Sequence, residues 1–155
     1  MSNNESEQQV EDKLPHLLPA QIQVHNIFVV EIIARRFPIK LESNLSAQSN
    51  LQLEEIQVDT EQHQAQAILS VQVDFPDEPR PFEISFKLVG IFSYTQELAS
   101  ETVLQFLNQG SFSVLLPFAR ELLMSLCTRL QVPPLILQMV QLALPPLQES
   151  EENNA

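Results

Sequence analysis

Apolar residues recur at every second position through the first two-thirds of this chain and at helical spacing through the last third. Gln21 to Arg36, QIQVHNIFVVEIIARR, reads as a long strand with Ile22, Val24, Phe28, Val30 and Ile32 on one face. The other face carries Ile27, Val29 and Ile33 and is apolar at its centre too. Such a strand is expected to be covered on both sides, by a helix or by a partner. Phe37 to Asn50 starts Phe-Pro and is rich in Ser and Asn, predicting a short edge piece and then a crossover loop. Leu51 to Asp59, LQLEEIQVD, alternates but slips phase at Glu54-Glu55, as the extra residue of a β-bulge would make it do. The cleanest strand is Ala65 to Phe75, whose Ala65, Ala67, Leu69, Val71, Val73 and Phe75 share a face. After the proline-rich loop Pro76 to Pro81, alternation resumes from Phe82 to about Tyr94. Gly90 inside that strand predicts a bulge or the close approach of another backbone.

From here the period lengthens. Ser100 is expected to cap a helix through Val103, Leu104, Phe106 and Leu107 that ends at Asn108-Gln109-Gly110. Ser111 to Leu130 is the longest helical pattern, with Pro117 near its start. Its polar stripe is narrow: Glu121, Ser125, Thr128 and Arg129, with Arg120 at the edge. A helix apolar over most of its girth suits cover on two sides, here the sheet and another subunit. Leu115, Phe118, Leu122 and Leu126 are the expected oligomer interface. Arg120 and Glu121 read as a surface pair, or else Arg120 is half-buried at a subunit seam, where its rigid fork suits a carboxylate or carbonyls. Pro133-Pro134 breaks the chain, and Leu135 to Leu144 predicts a last apolar helix. Strands first and helices last indicate an α+β fold: a four-stranded antiparallel sheet followed by two or three helices packed on one face.

A chain of 155 residues suits one domain, placed at 20–146, with acidic tails at 1–19 and 147–155 that are expected to be disordered. Much of the net charge of -12 sits in those tails, in Glu5, Glu7, Glu11 and Asp12 at one end and Glu149, Glu151 and Glu152 at the other. Such a balance repels phosphate backbones, so nucleic acid is not expected as a partner and basic surfaces are favoured. The single cysteine, Cys127, cannot close an internal disulfide, and its helical neighbours are apolar, which points to a buried structural thiol. The N-terminus has no basic region followed by an apolar run, and no apolar run approaches the ~20 residues of a membrane span. A soluble cytoplasmic protein with no membrane insertion is the expectation.

Catalytic chemistry finds little to work with. Two glycines, Gly90 and Gly110, cannot build a phosphate-cradling loop, so no nucleotide mechanism is expected. His16, His25 and His63 are scattered and have no Cys or carboxylate at metal-ligand spacing. Glu54 and Glu55 are adjacent in a strand and point to opposite faces, which does not make an acid/base pair. Cys127 lacks a base and an electropositive setting. No enzyme, cofactor or metal is therefore expected.

Two short motifs carry a resemblance. Gly90-Ile91-Phe92-Ser93 at the end of a strand and Leu116-Pro117-Phe118-Ala119-Arg120-Glu121 on the long helix, about two dozen residues on, resemble the signature of the SecB protein-export chaperone family. The element order is similar over residues 20 to 146. The resemblance implies a homotetramer, a dimer of dimers with the long helices packed between sheets. It also implies surface grooves that hold unfolded preproteins before delivery to the motor ATPase SecA, with no use of nucleotide. By the same resemblance the groove would draw on Phe37, Ile39, Leu41, Leu45, Leu51 and Leu53, with Leu135 and Leu137 from the last helix. The sequence departs from the family in its first strand. Where the family carries an acidic patch for the motor, this chain has Glu31 in an apolar run followed by Arg35 and Arg36. The acidic end after Gln148 is a loose counterpart of the family's C-terminal tail. The readings are an ATP-independent holdase serving export or, alternatively, a SecB-like chaperone dedicated to a toxin-antitoxin pair or another single client. A small enzyme or ligand-binding domain is the third.

Overall fold

The computed structural model describes residues 20–41 and 47–135. Five strands precede one helix: β1 Ile22–Arg36, β2 Gln48–Leu53, β3 Gln57–Asp59, β4 Gln64–Asp74, β5 Phe82–Tyr94 and α1 Ser100–Leu130. The strands form one antiparallel sheet in the order β1-β5-β4-β2, and β3 pairs with β4 beyond the end of β2. The α+β class is as expected, but the described residues form five strands rather than four. The extra one comes from the phase slip at Glu54-Glu55. Leu53 faces Leu69 while Gln57 faces Gln66, four steps along one side of the ladder against three along the other. That one-residue excess breaks the expected strand into β2 and β3.

The helix also differs from expectation. Instead of stopping at Gly110 and restarting, α1 runs unbroken for 31 residues through both Gly110 and Pro117. Packing explains it. Gly110 and Ser111 are buried in the helix's apolar face, which offsets the roughly 1 kcal/mol that glycine costs a helix interior. The Ser111 hydroxyl donates to the Leu107 carbonyl of the same helix, so its polar group is satisfied while buried. Pro117 is exposed, as is Ser113, the residue whose carbonyl the proline deprives of its N–H partner. Ala99, rather than Ser100, is the N-cap residue, and the Val103 N–H closes the first turn on the Ala99 carbonyl at 3.1 Å. At the other end Gln131 adopts the left-handed conformation, φ 54°, and Arg36 donates to the carbonyls of Leu130 and Gln131, each at 3.1 Å. This contact ties the end of β1 to the end of α1. The expected last helix, Leu135 to Leu144, lies outside the described residues apart from Leu135.

The core lies between α1 and one face of the sheet. Phe82, Ile84, Phe86, Leu88 and Phe92 of β5 and Ala67, Leu69 and Val71 of β4 meet Val103, Leu107, Leu115 and Leu123 of α1. Gly90 sits in the middle of this layer. A Cβ there would come within 3.0 Å of Leu115 Cδ2 and of Phe92 Cε2, so the position is filled by a helix side chain from above. The close approach expected at Gly90 is therefore made by side chains, and the bulges are on the neighbouring strand. Between Val24 and Asn26, and again between Val29 and Glu31, β1 carries one residue more than β5. Each bulge resets the phase, and this overturns the face assignment read from simple alternation. Ile22, Val24, Ile27, Val29, Ile32 and Ala34 share the helix side with Tyr94, Phe92, Gly90, Leu88, Phe86 and Ile84. Phe28 lies on the far side, opposite Val89.

By length and composition α1 could cross a membrane, although no run that long was read from the sequence. Its Val103, Leu107, Leu115, Ala119 and Leu123 are fully buried against the sheet, the position of a core helix. Cys127 is buried on the same side, and burial pushes its thiol pKa above the ordinary 9.0, partly opposed by a hydrogen bond from the Leu135 backbone. The native chain should resist iodoacetamide at neutral pH while the urea-unfolded chain is labelled fully, as mass spectrometry will read. Because the folded pKa is the higher, folding keeps a proton that the unfolded chain releases. This stabilisation is present below the ordinary thiol pKa and is lost as pH rises through the folded value.

Candidate functional site

Exposed apolar surface concentrates in two places. The first is β1, an edge strand of 15 residues with its outer side unpaired among the described residues. Val24, Phe28, Val29, Val30 and Ile32 are all exposed there, Val30 by 54%. The cover expected on both faces of this strand is not supplied by α1. The second is the outer side of α1, where Leu104, Phe118 and Met124 are exposed, Met124 by 58%. A long apolar edge offers unpaired backbone groups together with side-chain pockets, the two things an added polypeptide strand uses.

The expected groove residues are not gathered in one place. Phe37 follows β1 and is held by its N–H to the Pro81 carbonyl at 2.9 Å, with the Arg80 guanidinium 5.8 Å from its ring centre. The Ile39 N–H donates to the Phe37 carbonyl at 2.7 Å, and both side chains are half-buried. Leu51 and Leu53 lie on β2 at the opposite edge of the sheet, opposite Val71 and Leu69, with β5 and β4 between them and β1. Leu41, Leu51, Leu53 and Leu135 are half-buried and pack against the core, leaving part of each side chain open. Leu45 and Leu137 lie outside the described residues.

The expected interface residues divide in two. Leu115 is fully buried and Leu126 nearly so within the chain's own core, so neither is free to meet another subunit. Phe118 is exposed and Leu122 half-buried, and Met124 and Leu104 join them on the open side. A helix apolar over most of its girth does not reveal which leucines its own sheet takes. That selection needs the crossing geometry.

The two motifs meet in space. Phe92 of the first and Leu116 and Ala119 of the second are buried, and Leu115, next to the second motif, covers Gly90 of the first. Ile91 and Ser93 are half-buried; Pro117, Phe118 and Glu121 are exposed, and Arg120 is half-buried. Among the described residues neither Arg120 nor Glu121 forms an ion pair. The motifs thus serve chiefly to seat helix on sheet.

No reactive constellation forms among the described residues. Glu54 is paired with Lys87 at 3.1 Å, while Glu55 is exposed. His25 is exposed on β1, the His63 ring stands edge-on to Tyr94 at 5.5 Å, and His16 lies outside the described residues. No group of three or more His, Cys, Asp or Glu able to hold a metal occurs among the described residues. An open cleft of about 520 Å³ at the β3–β4 turn, lined by Asp59, Glu61, Gln64 and Gln66, lies apart from both apolar surfaces.

No protein-family model matches the sequence, and no curated protein matches it. The fold is similar to that of a SecB-like chaperone of Mycobacterium tuberculosis, solved in complex with a ChAD peptide from the HigA1 antitoxin. The TM-score is 0.67 at 19% identity, covering 79% of this chain and 93% of that one. A protein of unknown function from Streptococcus agalactiae covers 76% of this chain and 96% of its own at 13% identity, but its TM-score of 0.39 supports no conclusion. The chain thus has a SecB-like fold.

Proposed function

We propose that this protein is an ATP-independent chaperone that holds extended segments of another polypeptide on its uncovered apolar surface, and that it serves a dedicated client such as an antitoxin. The observation that carries this reading is the combination of a SecB-like fold with a long apolar edge that is unpaired among the described residues. The structurally similar chaperone holds an antitoxin peptide, which favours the dedicated client over general export. The first strand favours it too. Glu31 is its one acidic residue, flanked at a distance by Arg35 and Arg36, so it offers no acidic face to a translocation motor. Affinity would come from apolar burial at about 25 cal/mol per Å² together with backbone hydrogen bonds to a sheet edge. The open parts of Phe37, Ile39, Leu41, Leu51, Leu53 and Leu135 would extend the client surface. The active form is a homotetramer built as a dimer of dimers, which covers the outer side of α1. It works in the cytoplasm.

The test is suppression of aggregation of a refolding model protein at substoichiometric chaperone, with and without ATP, alongside titration with synthetic antitoxin-type and preprotein peptides. Suppression unchanged by ATP is expected, with tighter binding of the antitoxin-type peptide. Strict ATP dependence, or failure to hold any peptide, would overturn the reading. Tighter binding of preproteins together with capture of SecA would move it to the export branch.

A further inference from the structure

We infer that the cleft at the β3–β4 turn is the seat of the chain's own N-terminal segment, residues 13–18, which crosses the far face of the sheet before entering β1. The inference goes beyond the function proposed above and does not depend on a client. Strand register gives the cleft its orientation. Gln57, Gln66, Ile91 and Asn26 form one row across β3, β4, β5 and β1, and Asp59, Gln64, Ser93 and Gln23 form another. Between the two rows Val58, Ala65, Phe92 and Val24 share the helix side, so both rows lie on the far face. The cleft of about 520 Å³, which Gln57, Asp59, Gln64, Gln66 and Ile91 help to line, therefore opens on the face away from α1.

Reach and chemistry select the occupant. The chain turns at Ala20-Gln21, and the Thr95 N–H donates to the Gln21 carbonyl at 3.2 Å, so the residues before Ala20 leave the sheet beside these rows. From β1 to β3 is three strand spacings, roughly 14 Å, which about four residues of extended chain span. Counting back from Ala20 sets Leu18 and Leu17 by Ile91, and His16 and Lys13 by the turn that carries Asp59 and Glu61. The partners match. Ile91 is half-buried and offers apolar surface to the leucines. The Asp59 carboxylate is held in place by the N–H groups of Glu61 and Gln62 at 3.0 and 3.2 Å, and among the described residues neither Asp59 nor Glu61 forms an ion pair. The bases of the sheet are occupied or distant: Lys87 is paired with Glu54, and Arg35, Arg36 and Arg80 lie at the opposite end of the strands. Lys13 is the one Lys or Arg before Arg35, and Glu5, Glu7, Glu11 and Asp12 all precede it, past the cleft. Exposed ion pairs are weak by themselves, so the leucines supply most of the hold and the charges set the direction. Because residues 13–18 run straight into β1, seating them also fixes the entry of that strand.

Cysteine chemistry on the full-length protein tests this without any client. Cys127 is buried and does not compete. Under mild oxidation the Leu17→Cys/Gln57→Cys variant is expected to close a disulfide within one chain, read by peptide mass and by a faster band on a non-reducing gel. Leu17→Cys/Gln96→Cys is the control: Gln96 is exposed and close to Gln21 through Thr95, equally within reach of a free tail, and should cross-link several-fold less. Lys13→Glu should lower the Gln57 cross-link, and Glu61→Lys added to it should restore it. Because Leu17→Cys removes one of the leucines, a second measurement protects the test. Thr60→Cys, at the cleft, should react with iodoacetamide several-fold faster when Leu17→Asp and Leu18→Asp are also present. Equal cross-linking to Gln57 and Gln96, covalent dimers in place of the internal disulfide, or labelling of Thr60→Cys that ignores the two leucines would overturn the inference.

Discussion

Leu123→Asp is expected to abolish cooperative folding, whereas Phe118→Asp, five residues earlier on the same helix, leaves the fold intact. Leu123 is fully buried between α1 and the sheet, and Phe118 is 46% exposed. Removing the leucine alone costs about 2–5 kcal/mol in transfer and cavity terms. A carboxylate placed there without a partner adds several kcal/mol more, or stays protonated at a similar cost. The sum is comparable with the roughly 5–15 kcal/mol that holds a domain together. Circular dichroism and urea titration will read this directly. A folded Leu123→Asp variant would mean that α1 docks on another face. Phe118→Asp, while folded, should weaken the proposed assembly as measured by light scattering, because it places a charge on the exposed apolar side of α1 that the proposed tetramer would cover.

Gly90→Val is expected to destabilise the domain by about 1–3 kcal/mol, the usual cost of forcing extra methyl groups into a packed layer. Valine is otherwise favoured over glycine in a strand, so the sign of the effect reports the contact. The new Cβ would meet Leu115 Cδ2 and the Phe92 ring, each at 3.0 Å. Leu115→Ala in the same chain should relieve part of that clash and create a cavity the valine partly fills. The double variant should therefore be more stable than the sum of the two losses by at least about 0.5 kcal/mol. Strict additivity would show that Gly90 and Leu115 do not meet.

These two positions also show how far the primary structure could be read. Gly90 was conspicuous as a glycine inside a strand pattern, and close approach was one of the two expectations there. What approached it, a leucine 25 positions away, was invisible without the crossing of helix over sheet. The long helix pattern was plain, but its leucines looked alike. Leu115 and Leu126 went to the core, Phe118 stayed outside and Leu122 fell between them. For the first strand, apolar character on both faces marked a surface needing cover. Strict alternation then misassigned its faces, because each bulge shifts every later side chain to the other side. The bulge at Glu54-Glu55 was legible because two carboxylates interrupted the phase. Those at His25 and Val30 were not, since Ile27, Phe28, Val29 and Val30 are apolar in unbroken succession and fit either phase.

The chain alone determined the segments, their order and the class. Periods of two and of 3.6 follow from backbone geometry, and the alternation from Ala65 to Val73 admits one buried face. It also offers no glycine loop and no ligand cluster, so chemistries that need them were not expected. Tertiary structure decided whether Gly90 and Gly110 are punctuation or contact points, which apolar side chains the sheet takes, and that β1 is an open edge among the described residues. The physical reason is that burial is a property of pairs. A residue carries its hydrophobicity with it, but the neighbour that will cover it is set by docking over tens of residues, and one extra residue in a strand is enough to change that neighbour.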